Sequence, residues 1–254
     1  MPHIDLSITD HVATLTLNRP EKLNAVTPEM TDEIRGIAQR INTDPAVRVV
    51  ILTGTGKAFC AGSDIKELDT YPTPWAFRDR PDYCDAVRGI RKPVIAAVNG
   101  YAFGGGLELA MSCDIRLAAD TASFAAPEIK LGWIGGGGMA AFLTHSIGPS
   151  NAAKMIYTGD PVDAGQALTW GLVSSLHPVD ELLPAARELA DRIAQRAPIA
   201  AQTGKLNLRA AHSMPLENCI QYERDLQTVT FGTEDAAEGR AAFQQKRNPQ
   251  FNGR

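Results

Sequence analysis

Two glutamates and two glycine-rich turns are the residues of this 254-residue chain whose types and spacing suit proton transfer next to an anion. Residues 93–119 read PVIAAVNGYAFGGGLELAMSCDIRLAA. They run from a short apolar stretch, Val94 to Val98, through Gly104-Gly105-Gly106 into Leu107-Glu108-Leu109-Ala110-Met111. The apolar stretch has the length of a buried strand, and the segment after the glycines is made mostly of good helix formers. A strand, a glycine-rich turn and a helix start aim free backbone N–H groups at one point. Glycine admits close approach because no Cβ intervenes. Glu108 follows Gly105 by three residues and shares its helical face. The pattern therefore predicts an N–H donor and a carboxylate in one pocket. The same glycines would also serve plain strand–helix packing, with Glu108 facing solvent.

Residues 57–68, KAFCAGSDIKEL, repeat this design. Ala61-Gly62 makes a sharp turn, Ser63 follows, and Asp64 opens a helix with Ile65-Lys66-Glu67-Leu68. Side by side, the two turns would present two donors, from Ser63 and Gly105. A strand–helix loop capped by Asp64 needs no ligand and is the alternative. Pro127-Glu128 sets a second carboxylate between Phe124-Ala125-Ala126 and Ile129; on composition alone it reads as a solvated loop residue. The G-x-G-x-x-G spacing of a dinucleotide site is absent. Gly54-Thr55-Gly56-Lys57 lacks both the first glycine and the Ser/Thr of a phosphate-binding P-loop.

The elements that must position these groups follow from periodicity. Alternation over residues 3–8 and 12–18, around Thr9-Asp10-His11, predicts a β-hairpin. Thr27-Pro28 is an N-cap followed by proline at the first helical position. Met30, Ile34, Ile37, Ala38 and Ile41 then keep helical spacing as far as Asp44-Pro45. Residues 47–53 form a strand rich in β-branched side chains. Residues 69–91 predict a long irregular connection, a common setting for lids and binding loops, ending in a short amphipathic helix on Tyr83, Val87 and Ile90. A strand over 114–119, a glycine run over 135–138 and a helix from about Met139 come next. Further on, helices are predicted at 152–157, 164–170 and 179–196, with a short strand over 172–176. Past Pro198 they fall at 199–211, 216–231 and 234–246. The order is that of an α/β chain: a ββα-rich core over residues 1–197 and a helical region over 198–254.

Composition excludes several classes. At 44% hydrophobic and 21% charged the chain is ordinary for a soluble globular protein. A net charge of -4, from 25 basic and 29 acidic residues, leaves no basic footprint for nucleic acid or an anionic membrane. The four cysteines include no C-x-x-C pair and read as buried thiols of a reducing compartment. The first residues lack an apolar signal-peptide region. The longest apolar stretch is interrupted by Asn99, glycines and Glu108, so no membrane span is expected. The expectation is a cytoplasmic protein without a metal-ligand cluster.

Five stretches together resemble the enoyl-CoA hydratase/isomerase (crotonase) family over nearly the whole chain. They are NRPEKLNAV (18–26), KAFCAGSDIKEL (57–68), PVIAAVNGYAFGGGLELAMSCD (93–114), FAAPEIKLG (124–132) and AFQQKRNPQF (242–251), in the family's order. The resemblance implies a superhelix of ββα units with a C-terminal helical trimerisation region, as a homotrimer or a dimer of trimers. It implies an acyl-CoA thioester substrate whose carbonyl oxygen meets two backbone N–H groups, those of Ser63 and Gly105 by motif position. The two glutamates of the hydratase subgroup match Glu108 and Glu128. The implied reaction is reversible addition of water to a 2-enoyl-CoA, with Glu108 as base toward water and Glu128 as acid toward Cα, or the reverse. CoA contacts are implied along Ala61, Ser63, Asp64, Ile65 and Lys66 and at Lys22 and Ala25, with Lys246 reaching a neighbouring subunit's CoA. For Lys22 and Lys246 a solvated surface lysine is the alternative. Coenzyme A is part of the substrate, and no metal or redox cofactor is implied. One departure falls after residues 131–132: Gly135 stands for the usual proline, and Met139 and Phe142 for a second glycine and an arginine, on a stretch that walls the acyl pocket. Other readings are an enoyl-CoA isomerase or another acyl-CoA reaction of the family, and a non-catalytic CoA-thioester-binding or RNA-binding homologue. The acidic balance disfavours RNA.

Overall fold

A computed structural model describes residues 3–254. Its strands are β1 (Ile4–Thr9), β2 (Val12–Leu17), β3 (Val49–Gly54), β4 (Ala58–Cys60), β5 (Val94–Val98), β6 (Tyr101–Phe103), β7 (Ile115–Ala119), β8 (Ser123–Ala125), β9 (Val162–Asp163) and β10 (Ser175–His177). Its helices are α1 (Pro28–Thr43), α2 (Ile65–Leu68), α3 (Pro74–Arg78), α4 (Tyr83–Arg88), α5 (Gly105–Met111), α6 (Met139–Thr158), α7 (Ala164–Trp170), α8 (Val179–Ala194), α9 (Pro198–Ala210), α10 (Leu216–Phe231) and α11 (Glu234–Gln245).

From β3 to β8 successive strands alternate between two sheets. β1-β2-β3-β5-β7-β10 form one sheet and β4-β6-β8-β9 the other. Each pair β3/β4, β5/β6 and β7/β8 thus gives one strand to each layer before the chain turns into helix. That repeat is the ββα superhelix. Pairing is parallel except for the β1–β2 hairpin and β8–β9. Parallel strands covered on both faces are continuously apolar, and Val94 to Val98 are all buried.

The hairpin, α1 with its Thr27 cap, β5 and the three last helices lie where periodicity predicts. The second sheet is a finding of the structure. Its strands have only two or three residues, too few to show a period. The stretch read as an irregular connection contains α3, capped by the Thr73 hydroxyl. The strand expected over 172–176 forms later, at Ser175–His177. α6 breaks at Gly148, where φ is 77°.

α9 is anchored on the core through Lys205. Its buried ammonium reaches Asp114 Oδ2 at 2.7 Å and donates to the Lys92 carbonyl at 2.9 Å. Arg48 donates to the carbonyls of Ala194 and Phe251 and draws the tail back against the sheet. α10 buries no residue and exposes Leu216, Val229 and Phe231. Among the described residues no helix is long and apolar enough to cross a membrane.

Candidate active site

The two glycine turns abut. Gly104 has φ 57° and ψ -128°, a conformation closed to most side chains, and its N–H donates to the Ala125 carbonyl at 2.9 Å. α5 therefore starts at Gly105 with its first N–H unused. Across from it Gly62 has φ 97°, and a Cβ there would stand 3.0 Å from the Gly105 nitrogen. Ser63 is bracketed by two bonds to Val26: the Val26 N–H donates to the Gly62 carbonyl at 2.8 Å, and the Asp64 N–H to the Val26 carbonyl at 2.9 Å. That bridge leaves the Ser63 N–H facing the other way. Among the described residues neither the Ser63 N–H nor the Gly105 N–H has a protein acceptor.

Packing and site-building turn out to be shared between adjacent glycines. A Cβ on Gly106 would run into the Cys60 carbonyl, so this glycine lets α5 close on β4. A Cβ on Gly105 would run into the Tyr83 hydroxyl. The room at Gly105 is thus filled by a phenol.

Glu108 does not face solvent: it is 5% exposed. Its Oε1 accepts from the Gly137 N–H at 2.7 Å and the Met139 N–H at 3.0 Å. Cβ atoms on Gly135 and Gly137 would each come within 2.8 Å of a carboxylate oxygen. The glycine run, expected to wall an acyl pocket, also wraps the glutamate. Burial pushes the Glu108 carboxyl above its ordinary range; the two N–H bonds oppose this, and the negative charge of Glu128 adds to it.

Glu128 sits in a 3-10 turn, Pro127–Leu131, and it is no solvated loop residue. Its Oε2 is buried without a hydrogen-bond partner among the described residues. A Cβ on Gly104 would lie 2.9 Å from its Oε1. Burial raises this carboxyl too. The two glutamates differ in support: one oxygen of Glu108 is held by two donors, whereas Glu128 is desolvated with little to compensate it.

A cleft of about 450 Å³ unites these groups. Ala61, Ser63, Ile65, Gly105, Glu108 and Glu128 all line it. Its walls add Tyr83, Phe77 and Arg80, none of them singled out as site residues by sequence, and Trp133 and Ile134, from the stretch expected to wall the acyl pocket. Tyr83 was legible only as the apolar face of α4, where its hydroxyl carried no signal. The 69–91 segment does supply wall, as its length suggested.

Asp64 caps α2 by accepting from the Lys66 N–H at 3.2 Å and pairs with Arg19 at 2.8 Å. The Arg19 guanidinium holds its carboxyl below the usual range. Arg19 also donates to the Ala25 carbonyl, and the buried Asn24 amide donates to the Ala58 and Thr55 carbonyls. The 18–26 loop therefore buttresses the Ser63 turn from behind. Lys22 and Lys66 are exposed beside it. Lys246 ends α11 in a left-handed conformation, φ 55°, exposed and outside the cleft lining.

Residues 7–254 match the family model described as enoyl-CoA hydratase/isomerase. A probable enoyl-CoA hydratase of Mycobacterium bovis is 44% identical over 244 residues, 96% of this chain and 95% of that protein. The 2,3-dehydroadipyl-CoA hydratase of Escherichia coli is 38% identical over 255 aligned residues, covering 100% of both chains. The crystal structure of an enoyl-CoA hydratase from Bacillus anthracis matches with a TM-score of 0.93 at 36% identity, over 99% of this chain and 100% of that one. By sequence over nearly its full length and by fold, the chain belongs to the enoyl-CoA hydratase/isomerase family and has the crotonase fold.

Proposed function

We propose that the protein adds water reversibly to a 2-enoyl-CoA thioester. The observation that carries this reading is the convergence of two unpaired backbone N–H groups and two differently supported carboxyls on one cleft. Addition of water across the double bond puts enolate-like charge on the thioester oxygen. The Ser63 and Gly105 N–H groups are preorganised to meet that charge, and one such donor is typically worth about 3–4 kcal/mol.

Two proton transfers remain. Glu108, its Oε1 held by two N–H donors, is the better supported anion and acts as base toward the water attacking Cβ. Glu128, desolvated and with an unpartnered oxygen, is the readier acid and delivers a proton to Cα. Coenzyme A enters as part of the substrate, along the Ala61 to Lys66 backbone, with Lys22 near its phosphates. The apolar faces left open on α10 suit a homotrimer or a dimer of trimers, in which Lys246 would serve a neighbour's CoA. The charge and proton steps use only these groups, with no metal or redox cofactor.

The test is a panel of 2-enoyl-CoAs of different acyl groups, followed by loss of the conjugated-thioester absorbance. Hydration removes that band, whereas double-bond migration from a 3-enoyl-CoA creates it. Turnover no faster than buffer across the panel would end this reading.

A further inference from the structure

We propose that the Tyr83 hydroxyl is a third hydrogen-bond donor to the thioester oxygen, held beside the Ser63 and Gly105 N–H groups by the Ser63 side chain. The proposal rests on the oxyanion site proposed above and adds a side chain to it.

The placement comes first. Tyr83 Oη is 3.1 Å from Ser63 Oγ and lies against Gly105, in the space a Cβ there would take. It therefore touches both residues whose N–H groups are free. The ring is fixed: Asp82 caps α4 by accepting from the Cys84 N–H at 2.6 Å, and Tyr83 is buried at the first turn of that helix. A ring clamped in this way loses little freedom when it meets a ligand.

The hydrogen count comes next. Two hydroxyls share one hydrogen bond, so one hydrogen is left over. Among the described residues neither Tyr83 Oη nor Ser63 Oγ has another partner. If Ser63 donates to Tyr83, the phenol hydrogen is free to point into the cleft. The chain from Ser63 O–H through Tyr83 O–H to the thioester oxygen then polarises in one direction. The phenol also keeps its proton. Burial raises it well above its ordinary range, nearby thiols and Glu108 add to this, and the Ser63 bond opposes it only in part. At neutral pH it is therefore a donor.

Gly105 and Tyr83 account for each other: the missing Cβ is the seat of the hydroxyl. A phenylalanine would fill the ring's place equally well, so the hydroxyl is the part that packing does not require.

The experiment uses 4-dimethylaminocinnamoyl-CoA, a 2-enoyl thioester whose absorption band moves to the red when its carbonyl is polarised. Binding to the wild-type protein should shift the band strongly. In Tyr83→Phe the shift should shrink clearly, and kcat on the best enoyl-CoA should fall about 10²-fold, the low end for loss of one oxyanion donor. KM and melting temperature should change little. Ser63→Ala keeps its N–H and should move the band only part of the way back; it carries the test if Tyr83→Phe does not fold. An unchanged red shift in both variants would overturn the proposal and leave the two-donor site standing. No red shift with the wild-type protein would overturn both.

Discussion

Gly105→Ala separates a catalytic glycine from a packing one, and the structure sets the sign of its effect on stability. The backbone φ at Gly105 is not in the positive region, so alanine can adopt it. Helix propensity alone would then favour alanine by about 1 kcal/mol. The added methyl, however, meets the Tyr83 hydroxyl, whose ring is buried. Overpacking of this kind costs about 1–3 kcal/mol. The balance runs from near zero to about 2 kcal/mol of net loss, a melting temperature lower by a few degrees at this chain length. Activity should fall much further, because displacing a donor by about 1 Å costs roughly 10² in rate. Steady-state hydration and thermal unfolding by circular dichroism read the two effects. Adding Tyr83→Phe should recover the lost stability, since it removes the obstructing oxygen, while leaving the rate low. Non-additive stability with additive or worse activity is the signature. Wild-type kcat with an unchanged melting temperature in Gly105→Ala would refute the reasoning, since it would mean open space where the structure has a hydroxyl.

The glutamates are open to equally direct tests. Glu108→Gln and Glu128→Gln should each lower kcat by at least about 10²-fold with substrate affinity little changed, and a near-normal rate in either would remove that residue from the chemistry. Glu128→Gln should also melt higher than wild type at neutral pH. The folded-state carboxyl is raised, so wild type loses stability as pH climbs from the ordinary carboxyl range through the folded value. The gap should therefore close toward about pH 4, and a constant gap across pH would contradict the burial argument. For assembly, static light scattering at micromolar concentration should give a trimer mass or a multiple of it. A monomer would leave the exposed Leu216, Val229 and Phe231 without a role.

How much of the site could be read from sequence depends on contact range. The Gly105–Glu108 relation is local to one helical turn, so spacing shows it. The Ser63–Gly105 approach requires β4 to pair with β6, Ala58 against Tyr101 and Cys60 against Ala102, and strands that short carry no pattern. Motif resemblance brings the two turns together where periodicity does not. The clasp on Glu108 spans about 30 positions to Gly137 and Met139, and a run of glycines says nothing of what it encloses. Glu128 reads as a loop residue because its burial is decided by other segments. Tyr83 fits the amphipathic pattern of α4 so well that its polar end was invisible. The hairpin, α1 and the C-terminal helices were legible because their caps and periods are written in consecutive residues.

The clasp on Glu108 also bears on how this enzyme could change. Both donors to the carboxylate are main-chain N–H groups, and every residue but proline supplies one. Trp133 and Ile134, a few positions earlier on the same segment, line the cleft and supply neither bond. On the function proposed above, acyl selectivity and proton transfer would be encoded by different atoms of one loop. Libraries varied at positions 133 and 134 with 135–138 kept as glycine should explore new acyl groups while the base stays where it is.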